Sequence, residues 1–136
     1  MSSLPIEKVV WLEPGRGIRA TGMIPYSLEF FQDHFPAFPI LPGVLSLEIL
    51  KKTAESYFQK VQDAISEIRC FLKQIQQVKF SHYLKPGEKW ESHLELLAQE
   101  GGQTHWNARL YHNGKTAVSA RMALNVIRGF EDLVTS

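Results

Sequence analysis

Lys89–Val126, KWESHLELLAQEGGQTHWNARLYHNGKTAVSARMALNV, contains three segments in which apolar side chains return at every second position. In the first, Trp90, Leu94, Leu96 and Ala98 stand against Lys89, Glu91, His93 and Glu95. In the second, Trp106, Ala108 and Leu110 stand against Gln103, His105, Asn107 and Arg109, and in the third Thr116, Val118, Ala120, Met122, Leu124 and Val126 keep one parity. A period of two belongs to a strand with one face buried and one face wet. Gly101-Gly102 and Asn113-Gly114 separate the segments, and Asn-Gly is favoured where both residues of a tight turn need positive φ. The segments therefore read as two hairpins in series, an antiparallel meander.

Towards the N-terminus, Phe71–Leu84 and Arg16–Ile24 read as further strands, the first ended by Pro86-Gly87. Its alternation slips near Gln76, which predicts a bulge there. Val44–Gln62 (VLSLEILKKTAESYFQKVQ) follows a different rule, with Leu47, Leu50, Ala54, Tyr57/Phe58 and Val61 spaced by three and four. That spacing predicts an amphipathic helix. Pro42 suits its first turn, where a missing N–H costs nothing. An approximately five-stranded antiparallel sheet with one long helix on one face is an α+β fold, expected as a single domain over residues 1–136.

Composition narrows the function classes. The 15 Lys+Arg nearly balance 14 Asp+Glu, for a formal net charge of +1, and 44% of residues are hydrophobic. This argues against a disordered chain and against a general nucleic-acid binder. The lone Cys70 offers no intrachain disulfide and no CxxC pair, so a reducing, cytoplasmic setting is expected. The N-terminal MSSLPIEKVVWLEPG has no apolar core of the signal-peptide kind, and Phe35–Leu47 is too short and too proline-rich to cross a bilayer, so neither secretion nor membrane insertion is expected.

The chemistry concentrates in Phe31–Leu50, FQDHFPAFPILPGVLSLEIL, which holds three of the seven prolines at positions 36, 39 and 42. An exposed proline-rich ligand would not interleave Phe35, Phe38, Ile40, Leu41, Val44 and Leu45 or run straight into a core helix. Closely spaced prolines instead stiffen the backbone and hold His34 in a fixed place ahead of the helix that carries Glu48. Between them, Gly43 at the helix start offers a backbone N–H that has no intrahelical acceptor. With no side chain in the way, that N–H at the positive helix end suits a developing oxyanion. A base, an acid and an oxyanion donor are the set needed to remove a proton α to a thioester carbonyl and expel a β-hydroxyl.

The run HFPAFPILPGVLSLE, residues 34–48, resembles the signature of the FabZ-type (3R)-hydroxyacyl-acyl carrier protein dehydratases of the hotdog-fold superfamily, approximately HFPxxPxxPGVLxxE. His34, Phe35, Pro36, Pro39, Pro42, Gly43, Val44, Leu45 and Glu48 match in register, and FSHYLKPGEKWESHLEL (Phe80–Leu96) resembles the family's strand, Pro-Gly-acid turn and strand. The likeness extends from about Gly22 to Val126. It implies an antiparallel sheet wrapped around one long central helix, and dehydration of (3R)-3-hydroxyacyl thioesters to trans-2-enoyl thioesters in fatty-acid or related polyketide or polyene synthesis, without cofactor or metal.

By the same resemblance His34 is the base that removes the C2 proton, Glu48 protonates the departing C3 hydroxyl, and the Gly43 N–H polarises the thioester carbonyl. The Ile40 carbonyl accepts from the imidazole Nδ1–H, leaving Nε2 free. Phe35, Pro36, Ile40, Pro42, Val44 and Lys52 are expected to line the substrate. The site is expected at a dimer interface, with His34 and Glu48 from different subunits and the dimers alone or joined as a trimer of dimers. Glu at position 48, where the isomerising FabA-type relatives carry Asp, implies dehydration without isomerisation. Asp33, Ala37 and Lys52 stand where Gly, Gly and Gln are usual, and Lys52, four residues after Glu48, is placed to pair with it on the helix.

The expected partner is an acyl carrier protein, and Arg69, Lys73, Lys79 and Lys85, in a stretch without acids, read as a surface for its negative charge. His105 and His112 have opposite parity on one strand and no HxH or HExxH is present, so no metal is assigned. Two rival functions are a hotdog acyl thioesterase, which releases free thiol, and a non-catalytic hotdog protein that binds acyl thioesters or a partner without turnover.

Overall fold

In the computed structural model, which describes residues 6–26, 43–62 and 68–128, the meander forms as the alternation predicts. Its strands are β4 (Lys89–Glu100), β5 (Gln103–His112) and β6 (Lys115–Arg128). The buried members of β4 and β5 are the even-numbered Trp90, Ser92, Leu94, Thr104, Trp106, Ala108 and Leu110. Asn113 and Gly114, with φ of 52° and 74°, make the β5–β6 turn, which is the left-handed backbone that Asn-Gly tolerates.

Three more strands complete the sheet: β1 (Lys8–Glu13), β2 (Gly17–Met23) and β3 (Ile68–Phe80). The order is β1-β2-β4-β5-β6-β3, with every neighbouring pair antiparallel. The sheet thus has six strands rather than five. β1 escapes a period-two reading because Val9, Val10, Trp11 and Leu12 are consecutive apolar residues. A register shift between Val9 and Trp11 explains them: Val10 is the extra residue, and Val9 and Leu12 both reach the core. The bulge expected near Gln76 is present, since the β3–β6 register shifts between Gln76 and Lys79 and Gln77 has φ of 54°.

The single described helix, α1 (Gly43–Val61), agrees with the predicted one to within a residue at either end. It packs on β2, β3, β4 and β5 through Ser46, Ile49, Leu50, Thr53, Ala54, Tyr57 and Phe58. Tyr57, Phe58 and Trp106 meet edge to face at 5.1, 5.2 and 5.9 Å between ring centres, a geometry that adds to the area they bury. Two polar pins set the helix on the sheet. Thr53 Oγ1 donates to the Ile49 carbonyl at 2.9 Å and can accept from the Ser92 hydroxyl, 2.8 Å away on β4, and the Tyr57 hydroxyl accepts the Gly15 N–H at 2.7 Å. Among the described residues no helix is long and apolar enough to cross a membrane.

Farther along α1, Glu55 accepts the Cys70 N–H at 2.8 Å. Burial raises its pKa above the ordinary value despite that bond and the nearby Lys51. The folded chain therefore holds this proton more tightly than the unfolded chain, and stability falls as pH rises from the unfolded to the folded pKa. Glu55→Gln keeps an acceptor for Cys70 and removes the titration. Urea titrations across the acidic range are expected to show a flatter pH dependence for the variant, with the gain in stability at the upper end of that interval.

Candidate active site

Of the residues singled out from sequence, His34, Phe35, Pro36, Ile40 and Pro42 lie outside the described residues. Gly43, Val44, Glu48 and Lys52 are all on α1. Gly43 is its first residue, so its N–H has no acceptor within the helix. A Cβ at Gly43 would lie 2.9 Å from Phe80 Cε1 and 3.0 Å from Cζ. Glycine here is a matter of close approach: the Phe80 ring, itself stacked on Tyr83 at 6.1 Å, covers the first turn. Val44 is 70% exposed, an apolar side chain left uncovered beside that turn.

This contact gives a double-mutant test. At the first residue of a helix alanine has little advantage over glycine, and Gly43→Ala in the wild-type background must displace the Phe80 ring. In a Phe80→Ala background the same change is expected to be close to neutral. Urea denaturation of the four proteins should give a coupling of about 1–2 kcal/mol.

Glu48 sits one turn further on, its Oε1 3.1 Å from Lys51 Nζ, with the two side chains 36% and 25% exposed. The pairing is thus three residues along the helix, whereas the sequence pointed to Lys52, four along. Both spacings bring side chains together on a helix; Lys52 instead lines a groove of about 350 Å³ with Ile6, Glu55, Ser56, Gln59 and Ile68.

Three contacts fix how α1 runs beside β3. Gly43 lies under Phe80 at the end of the strand, Glu55 binds the Cys70 N–H near its start, and Gln59 Oε1 accepts the Ile68 N–H at 3.2 Å. Helix and strand are antiparallel, which sets Glu48 between these anchors, alongside the bulged middle of β3. Among the described residues β3 ends the sheet, with β6 as its one strand neighbour. It exposes Phe71 (49%), Leu72 (44%), Val78 (37%) and Phe80 (37%). The glutamate therefore stands beside a long apolar sheet edge that is open to another chain.

The histidines fall differently from the one-strand comparison of His105 with His112. His82 and His112, thirty positions apart in sequence, both approach Glu88. Parity along a single strand carries no information about this convergence, because His82 lies on the connection before β4 and not on β5.

Comparison with known proteins gives the family and the fold. Residues 13–121 match the ApeI-like family, described as ApeI dehydratase. The 3-hydroxyacyl-(acyl-carrier-protein) dehydratase FabZ of Nitratidesulfovibrio vulgaris strain DP4 is 35% identical over 124 residues, 90% of this chain and 80% of that protein. Among solved structures, the dehydratase heterocomplex ApeI:P from Xenorhabdus doucetiae superposes with a TM-score of 0.75 at 16% identity, covering 96% of this chain and 89% of that one. A probable thioesterase from Bartonella henselae has the same fold at 8% identity, with a TM-score of 0.63 over 82% of this chain and 92% of that one. The thioesterase likeness extends to the fold alone, whereas the family match runs from the end of β1 through α1, with Gly43 and Glu48, into β6, and by it the chain belongs to the ApeI-like dehydratases.

Proposed function

We propose that the protein dehydrates (3R)-3-hydroxyacyl thioesters on an acyl carrier protein to the trans-2-enoyl thioesters. The observation that carries this reading is Glu48, held on the first turns of α1 near the Gly43 N–H, which has no acceptor within the helix, and fourteen residues after His34, in a member of a dehydratase family. His34 Nε2 takes the C2 proton, with its Nδ1–H held by the Ile40 carbonyl. The negative charge that develops on the thioester oxygen is met by the Gly43 N–H and the positive end of the helix. The Glu48 carboxyl gives its proton to the C3 hydroxyl, which leaves as water; the C2 proton stays on His34 until solvent exchange resets both groups. Lys51 Nζ donates to Glu48 Oε1 and orients the group, leaving Oε2 to carry the proton that is transferred. Phe35, Pro36, Ile40, Pro42, Val44 and Lys52 line the acyl thioester.

The acting unit in this proposal is a homodimer, alone or in a trimer of dimers, of one domain spanning residues 1–136 and located in the cytoplasm. Support comes from β3, a 13-residue edge strand with exposed apolar side chains on it. Pairing with a second β3 would cover them and bring another chain against Glu48. Arg69, Lys73, Lys79 and Lys85 are exposed on this strand and the connection after it, which suits an acidic carrier approaching the same edge. The Xenorhabdus dehydratase ApeI:P is a heterocomplex, so a related chain is the other occupant that a test of assembly has to separate.

The test is incubation with 3-hydroxyacyl and trans-2-enoyl thioesters on an acyl carrier protein, followed by mass spectrometry. Interconversion by a difference of one water supports dehydration. Free carrier thiol would identify the thioesterase, and binding that leaves both thioesters intact would identify a non-catalytic protein.

A further inference from the structure

We infer that His82, Glu88 and His112 form a binding site for a divalent first-row metal ion, with Zn²⁺ the best-suited probe. The three ligand atoms lie within 4.8 Å of one another. His112 Nε2 is 2.8 Å from Glu88 Oε2, and His82 Nε2 is 3.7 Å from Oε1. The two imidazoles are parallel, 3° apart in plane with ring centres at 5.4 Å, and so present the same edge to one carboxylate.

Proton bookkeeping decides what this arrangement lacks. His112 Nδ1 lies 2.7 Å from the Lys89 carbonyl oxygen, which only accepts, so Nδ1 carries the proton. In the neutral ring Nε2 then has a lone pair, and that lone pair faces a carboxylate oxygen. Two acceptors at hydrogen-bond distance require a cation between them. His82 Nε2 is buried and has no hydrogen-bond partner among the described residues, although it too points to Glu88. One added proton on His112 would serve that contact, whereas His82 Nε2, 3.7 Å from Oε1, is too far for a hydrogen bond in either tautomer; a single divalent cation serves all three groups.

Two imidazoles and a carboxylate are a known zinc donor set, with bonds of about 2.0–2.2 Å that put tetrahedral ligand atoms roughly 3.3 Å apart. The imidazole nitrogens approach the carboxylate to 2.8 Å (His112, to Oε2) and 3.7 Å (His82, to Oε1), on either side of that value. The supporting groups are also in place. The Lys89 carbonyl fixes the His112 ring, and Glu88 Oε1 accepts the Lys85 N–H at 2.6 Å, as orienting bonds do around metal ligands. His82 and Glu88 belong to the connection between β3 and β4, whereas His112 ends β5. The ion would tie that connection, including Tyr83 and through it Phe80 over Gly43, to the sheet.

The experiment uses the full chain without an affinity tag. Calorimetric titration with Zn²⁺ is expected to show one site per chain, and melting with Zn²⁺ to raise Tm by several degrees, reversed by EDTA. His82→Gln and His112→Gln are each expected to lower affinity at least tenfold, and His34→Ala to keep the stoichiometry. Should a variant fold poorly, imidazole NMR of the wild type is the second readout, with His82 and His112 as the rings that shift. Absence of saturable binding, binding unchanged in both variants, or binding lost in His34→Ala would overturn the assignment, the last two by placing the ion elsewhere.

Discussion

Glu48→Gln is expected to lower kcat/KM for the carrier-bound 3-hydroxyacyl thioester by about 10²–10⁴-fold, the range in which removal of a general acid or base falls. The amide is nearly isosteric with the carboxyl but has no proton to give to the leaving hydroxyl. Stability should barely change. The side chain is partly exposed and its partner is Lys51, one turn along the same helix, and such surface pairs are worth at most about 1 kcal/mol. An unchanged Tm beside a collapsed rate therefore separates lost chemistry from lost fold. His34→Ala is expected to lose activity to a similar degree by removing the base. Full activity in Glu48→Gln would refute the assigned acid, and loss of free-thiol release rather than of dehydration would move the protein to the thioesterases.

The meander and the helix were legible from sequence because each has one buried face and one wet one. Trp90, Trp106 and Met122 recur with the strand period, and Ile49, Leu50, Tyr57 and Phe58 with the helix period. β1 was not legible, since the bulge at Val10 breaks the alternation that identifies a strand. Glu48 and Gly43 were singled out through the local run HFPAFPILPGVLSLE, and their positions at the helix start follow from Pro42 and the helical spacing after it. The partner of Glu48 was misassigned, because the choice between Lys51 and Lys52 depends on rotamers and on where β3 passes. Phe80 over Gly43 and the convergence of His82 with His112 on Glu88 needed the third dimension: each joins segments that the sheet order, not the sequence, brings together.

The sheet order also leads to the second large effect, which concerns the assembly. If each site takes His34 from one subunit and Glu48 from the other, the two dead variants must rescue each other. Mixing His34→Ala with Glu48→Gln chains under conditions that exchange subunits produces homodimers of each kind, with no intact site, and heterodimers. In every heterodimer one site lacks both groups and the other has both. Random pairing makes half the dimers mixed, so activity is expected to recover to about a quarter of the wild-type value from a background of roughly 10⁻² or less. If both groups came from one chain, mixing would restore nothing. Rescue should also depend on the edge strand: Leu72→Glu, which puts a charge on the exposed apolar part of β3, is expected to shift size-exclusion elution towards the monomer and to abolish rescue when present in both chains. Rescue that survives dissociation of the β3 edge would place the second subunit on another face of the molecule, and Glu48 would then have to receive His34 from across α1 rather than from across the sheet edge.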